Sequence, residues 1–101
     1  MLYVFKRKAL LNIWRFYRNV ARKYRQVYDE DDMERNIREA VFKGYSIEKT
    51  LLRRRPTLDR WQGYHMAHAG QWYYAYTING DTITIEDACH AQNMYEDSLD
   101  Q

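Results

Sequence analysis

The chain contains one cysteine, Cys89, and one proline, Pro56, in 101 residues. A lone cysteine excludes an internal disulfide, so packing and hydrogen bonds must hold the fold, as expected of a protein in a reducing cytoplasm. A lone proline leaves the first half of the chain free to build helix and stops any helix by about Arg54 or Arg55. No apolar run exceeds five residues, as in Trp72 to Tyr76, against the roughly 20 needed for a membrane-spanning helix. Lys6, Arg7 and Lys8 break any signal-peptide pattern almost at once. Positive charge is missing from the C-terminal part: all 16 Lys and Arg residues lie at or before Arg60. Residues 1–62 carry 16 basic and 8 acidic side chains, a balance of +8, whereas residues 63–101 carry none and 6, a balance of −6. Such a split can present a cationic patch to a polyanion, or be interleaved and cancelled by folding.

This length makes a single domain spanning 1–101. Folding at that size buries about two-thirds of the unfolded chain's surface, which gives one modest core and no enclosed cofactor chamber. The expected site is therefore a surface groove, with no cofactor and no metal.

From Ala9 to Tyr28 apolar residues recur at Leu10, Ile13, Trp14, Tyr17, Val20, Ala21, Tyr24, Val27 and Tyr28, the three-and-four spacing of an amphipathic helix. Arginines and lysines lie between them, able to flank the core with their stems while their charges stay in water. The run DEDDMER places acids where a helix N-terminus favours them. A second amphipathic pattern follows through Met33, Ile37, Ala40, Val41, Ile47 and Leu51, with Gly44 as a point of ending or bending.

After Pro56 the period changes to two. Asn79 and Gly80 give the signal of a two-residue hairpin loop, which sets Tyr76 opposite Ile83 and Tyr74 opposite Ile85 on a face packed against the helices. Tyr73, Ala75, Thr77, Thr82, Thr84 and Glu86 then fall on a more polar, open face. A turn at Ala69 and Gly70 adds Tyr64, Met66 and His68 to that open face and puts His65 on the packed one, as a structural histidine near the core. His90 has the parity of Glu86, so it is expected to come round towards His68. A zinc site from His65, His68, Cys89 and His90 is disfavoured, because His65 and His68, like Cys89 and His90, point to opposite faces of a strand.

The segment PTLDRWQGYHMAHAGQWYYAYTINGDTITIEDACHAQNMY resembles the C-terminal half of the RelE/ParE superfamily of bacterial type II toxins, and the YafQ-like mRNA interferase branch in particular. Trp61, Gly63, Tyr64, His68, Trp72, Tyr76, Gly80, Asp81 and His90 supply the ordered features of that branch. The resemblance implies an α+β RelE/ParE-like fold: an N-terminal strand over Leu2 to Phe5, a two-helix hairpin, then three antiparallel strands forming a small sheet packed on the helices. It implies a toxin of a toxin–antitoxin system that cleaves mRNA on the ribosome and is neutralised by a cognate antitoxin. It assigns acid–base roles to His68 and His90 and puts Trp72 beside the site. The chain departs from the family pattern at Arg55, where related ribonucleases place a histidine, at Gln71 in place of an aspartate, at Tyr73 in place of an arginine, and at Met94, with Tyr95 adjacent, in place of a terminal aromatic.

The chemistry follows without the family. Metal-free RNA cleavage lets the ribose 2′-hydroxyl attack its own phosphate, so a base must take one proton and an acid must supply another, and histidine suits both near neutral pH. Positive donors must stabilise the charged phosphorane. Arg53, Arg54 and Arg55 are the candidates for that task, Arg55 foremost. Trp72, Tyr73 and Tyr95 are candidates to stack an unpaired base, with core packing the competing role for Trp72. Two alternatives stand beside this reading: a ParE-like inhibitor of DNA gyrase without nuclease activity, and a non-toxic basic nucleic-acid-binding module that uses the first helix.

Overall fold

The computed structural model describes residues 2–47 and 58–94. The element order is β1 (Leu2–Phe5), α1 (Arg7–Lys23), α2 (Glu30–Gly44), a short 3₁₀ turn (Asp59–Trp61), β2 (His65–Ala69), β3 (Trp72–Asn79) and β4 (Thr82–His90). The fold is α+β, with one mixed four-stranded sheet in the order β1-β4-β3-β2. Strands β2, β3 and β4 pair antiparallel, and β1 adds in parallel beside β4, from Leu2 opposite Thr82 to Phe5 opposite Ile85.

Helix α1 closes five residues before the expected Tyr28, and turns occupy 24–27. The acids that follow cap α2 as their position predicts. The Asp29 side chain accepts from the Asp32 backbone N–H, and Asp32 returns the bond, a reciprocal capping box. Arg35 also pairs with Asp32 at 2.6 Å, and these contacts, the Asp29 N–H first, hold the Asp32 carboxyl below its ordinary pKa. Helix α2 ends at Gly44, where a Cβ would run into the Phe5 ring. The expected continuation to Leu51 and the stop before Pro56 lie outside the described residues.

Both hairpins turn one residue later than expected. Gly80 and Asp81 form the loop, with Asn79 opposite Thr82, and Gly70 and Gln71 form the other, with Ala69 opposite Trp72. Gly80 has φ 60° and Gly70 φ 59°, while no described non-glycine residue has positive φ. A two-residue loop with glycine first is the II′ arrangement, whereas an Asn-Gly loop needs positive φ at both positions. Each pairing thus slips by two residues, Tyr76 facing Ile85 rather than Ile83. Such a slip leaves the face of every side chain unchanged.

A β-bulge then alters the faces. Tyr76 pairs with Ile85 but Ala75 pairs with Asp87, so Glu86 is the extra residue on β4. Beyond it the alternation of β4 is inverted. Ala88 and His90 consequently point to the helix side, opposite Tyr74 and Trp72, and Cys89 points the other way, opposite Tyr73.

Apolar residues bury on both sides of the sheet. On the helix side Tyr74, Tyr76, Ile83 and Ile85 pack with Ala9, Ile13, Ala40 and Ile47; the Tyr74 hydroxyl donates to the Ala40 carbonyl at 2.5 Å. On the other side Met66, Ala75 and Cys89 lie under Leu58, Trp61 and Met94. The face expected to be open is therefore covered at this end, because the 3₁₀ turn and residues 91–94 fold across it.

Candidate functional site

Strand β1 stops at Phe5, and the Lys6 N–H closes its ladder on the Ile85 carbonyl. From Glu86 to His90 the described β1 no longer flanks β4, and α1 runs alongside instead. A groove of about 480 Å³ opens there, within the range usual for ligand sites. Helix α1 presents Lys8, Asn12, Arg15 and Asn19 to it, residues spaced four, three and four apart and so on one helical face. Strand β4 contributes Asp87 and His90, and the 3₁₀ turn contributes Arg60. Three cations and one carboxylate line it.

That carboxylate orders the groove. Asp87 is 1% exposed and takes hydrogen bonds from the Asn12 amide at 2.6 Å, the Trp61 indole N–H at 2.8 Å and the Ala88 backbone N–H at 2.8 Å. Lys8 and Arg60 approach it at 3.7 and 3.6 Å. A buried carboxylate needs such a full set of partners. Here they tie α1, β4 and the 3₁₀ turn together and hold two cations at the groove.

His90 forms the floor beside Phe16 and Trp72. Its ring stacks on Phe16 with centroids 4.0 Å apart and planes 10° from parallel, and meets Trp72 edge-on at 5.4 Å. Burial lowers its pKa from the ordinary 6.5, which favours the neutral ring. The Gln92 backbone N–H donates to Nδ1 at 3.2 Å, so the neutral tautomer carries its proton on Nε2 and presents a donor. Trp72 is 2% exposed; its indole N–H donates to the Tyr17 hydroxyl at 2.9 Å and its ring packs on Phe16. Burial raises the Tyr17 pKa, partly offset by that Trp72 bond.

His68 and His90 do not converge. His68 lies on the opposite side of the sheet, 5.3 Å ring to ring from Tyr73, because the Glu86 bulge moved His90 to the helix side. The expected shared face is thus corrected, and with it a two-imidazole proton shuttle. His65 keeps the parity of the helix side but is exposed at the start of β2, its ring 5.3 Å from Tyr76, rather than a structural histidine near the core. Trp72 is committed to packing, so its place as a stacking platform is also corrected. Tyr73 is half-buried against the second cluster. Arg53, Arg54, Arg55 and Tyr95 lie outside the described residues. Among the described residues no group of three or more His, Cys, Asp or Glu is placed to hold a metal ion, and no helix is long and apolar enough to cross a membrane.

The sequence reading missed Lys8, Asn12, Arg15, Asn19, Arg60 and Asp87. The polar stripe at 8, 12, 15 and 19 was legible as a helical face without apolar residues. The burial of Asp87 was not, since it follows from where the bulge and Trp61 fall. No family model, curated protein or solved structure matches this chain.

Proposed function

We propose that this chain is the toxin of a bacterial type II toxin–antitoxin pair of the RelE/ParE kind, and that it cleaves mRNA bound in the groove between α1 and β4. The supporting observation is the gathering of Lys8, Arg15, Arg60 and the neutral His90 around one recess beside the buried Asp87. The cations receive a phosphodiester, and preorganised donors of this type stabilise the charge that grows on phosphorus during transfer. The ribose 2′-oxygen bonds to phosphorus and loses its proton to solvent. The bond to the 5′-oxygen breaks, and that oxygen takes a proton from solvent. His90, with its proton on Nε2, serves as a hydrogen-bond donor to the phosphoryl group. The products are a 2′,3′-cyclic phosphate and a 5′-hydroxyl end. A cognate antitoxin would cover the basic groove, and its own acidic side chains would compete with phosphate there.

A second reading is a ParE-like inhibitor of DNA gyrase that binds without cleaving. It is favoured by the opposite faces of His68 and His90 and by the occupied Nδ1 of His90, which leave one imidazole at the groove where acid–base catalysis commonly uses two.

Brief induction in a bacterial host, followed by sequencing of RNA ends and by DNA-supercoiling assays, separates the two. New 5′-hydroxyl ends that vanish in His90→Ala and Arg15→Ala but persist in His68→Ala support the nuclease. Growth arrest with altered supercoiling and no new RNA ends supports the gyrase reading. Unimpaired growth at high expression overturns both.

A further inference from the structure

The groove does not end at Asn19. A smaller pocket of about 220 Å³ continues from it, sharing Phe16, Asn19 and Asn93 and adding Lys23, Tyr24 and Gln92. Residues 8, 12, 15, 19 and 23 follow one face of α1, so the combined track runs for about 22 Å along the helix. Its character changes along the way. The Asp87 end is dense in cations, whereas the far end offers the Phe16 and Tyr24 rings, one lysine and several side-chain amides.

We propose that this second pocket is a nucleobase subsite for a single-stranded polynucleotide whose phosphate lies in the main groove. Tyr24 is 48% exposed, unlike the buried Trp72, which leaves ring surface accessible to a flat ligand. The Lys23 Nζ lies over the ring, 5.5 Å from its centroid, so a base stacks on the opposite face or displaces the lysine, whose charge then stays close to the strand. Asn19, Gln92 and Asn93 are exposed, and each amide offers donors and an acceptor to the edge of a base. The pocket is smaller than those usual for a whole cofactor, as a subsite for one base should be. Duplex is excluded by the same chemistry, because stacking on Tyr24 requires an unpaired base. This inference deepens the nuclease reading and rests on it for the identity of the strand as RNA.

The test is equilibrium binding of the full chain to labelled RNA homopolymers of about ten nucleotides, within the usual site size for single strands, alongside the corresponding DNA oligonucleotides. Tyr24→Ala should weaken binding about tenfold or more, a typical loss for one stacked base, while Tyr24→Phe keeps near-native affinity. Asn19→Ala and Asn93→Ala should narrow the affinity differences among the homopolymers. Arg15→Ala should weaken all of them alike and flatten the salt dependence. Equal affinity for DNA would keep the subsite and name single-stranded DNA as a second source of the ligand. Tyr24→Ala binding as tightly as the native chain, or no retention of any oligonucleotide, overturns the subsite. The two proposals fail separately. RNA cleavage with Tyr24-independent binding removes the subsite and leaves the nuclease, whereas Tyr24-dependent binding without RNA cleavage does the reverse.

Discussion

Phe16 and His90 lie ring on ring, 4.0 Å between centroids and 10° from parallel. The contact joins the middle of α1 to the last residue of β4, and it takes much of the imidazole out of water. The resulting depression of the His90 pKa below 6.5 fixes the sign of a pH effect. The unfolded chain binds the proton more readily, so this group's contribution is fully present above pH 6.5 and is lost as pH falls through the folded-state pKa. Stability should therefore rise with pH in the window just below 6.5. An NMR titration should place the His90 midpoint below 6.5, and Phe16→Ala should move it back up. A midpoint at or above 6.5 in the native chain would contradict the desolvation account.

How much of this was legible in the sequence divides by physical range. Periodicity is local, and it located both helices and the three later strands to within a few residues; the capping acids at Asp29 to Asp32 were equally local, whereas β1 was expected only from the family resemblance. Face assignments in β2 and β3 survived a slipped turn because the slip was two residues per pair. The position of His90 did not survive, since one extra residue at Glu86 inverts all that follows it. Nothing in the run TITIEDACH marks that bulge by composition alone. Its origin is tertiary: with Glu86 left over, Asp87 reaches the Trp61 and Asn12 donors and Glu86 bonds to Thr77 at 2.8 Å and pairs with Lys6 at 3.5 Å.

The hairpin register can be checked by stability alone. Gly80 has positive φ and Asn79 does not, so Gly80→Ala should cost about 1 kcal/mol or more, from strain in a conformation that alanine resists. Asn79→Ala should change stability by less than about 0.5 kcal/mol, as expected of an exposed strand residue. Urea denaturation gives both values. If Asn79→Ala proves the costlier change, the loop is Asn79–Gly80 after all.

Gly44 tests the contact between the end of α2 and β1. An added Cβ gains helix propensity of at most about 1 kcal/mol, yet it meets the Phe5 ring, and overpacking typically costs about 1 to 3 kcal/mol. Gly44→Ala should therefore destabilise. Combined with Phe5→Leu the two changes should cost less than their sum, because the shorter side chain vacates the clash. Thermal melts of the single and double variants measure this, and simple additivity would show that the ring yields freely.

Asp87 carries the strongest expectation for the site. Replacing it with alanine leaves the Trp61 indole N–H and the Asn12 amide without their acceptor and frees Lys8 and Arg60 from the charge they approach. Breaking a buried network of charged hydrogen bonds costs about 3 kcal/mol or more. Asp87→Asn retains one carbonyl acceptor and should lose less, but its new NH₂ must face either the Trp61 or the Asn12 donor, so it cannot restore the native stability. Trp61→Phe removes one donor of the same network and should cost about 1.5 to 3 kcal/mol. Because Asp87 and Trp61 share a bond, the double variant Asp87→Ala with Trp61→Phe should be less harmful than the two losses added. Denaturant titration of the four proteins closes this cycle. A coupling near zero would mean that the Trp61 bond adds nothing to the order that Asn12, Lys8 and Arg60 give Asp87.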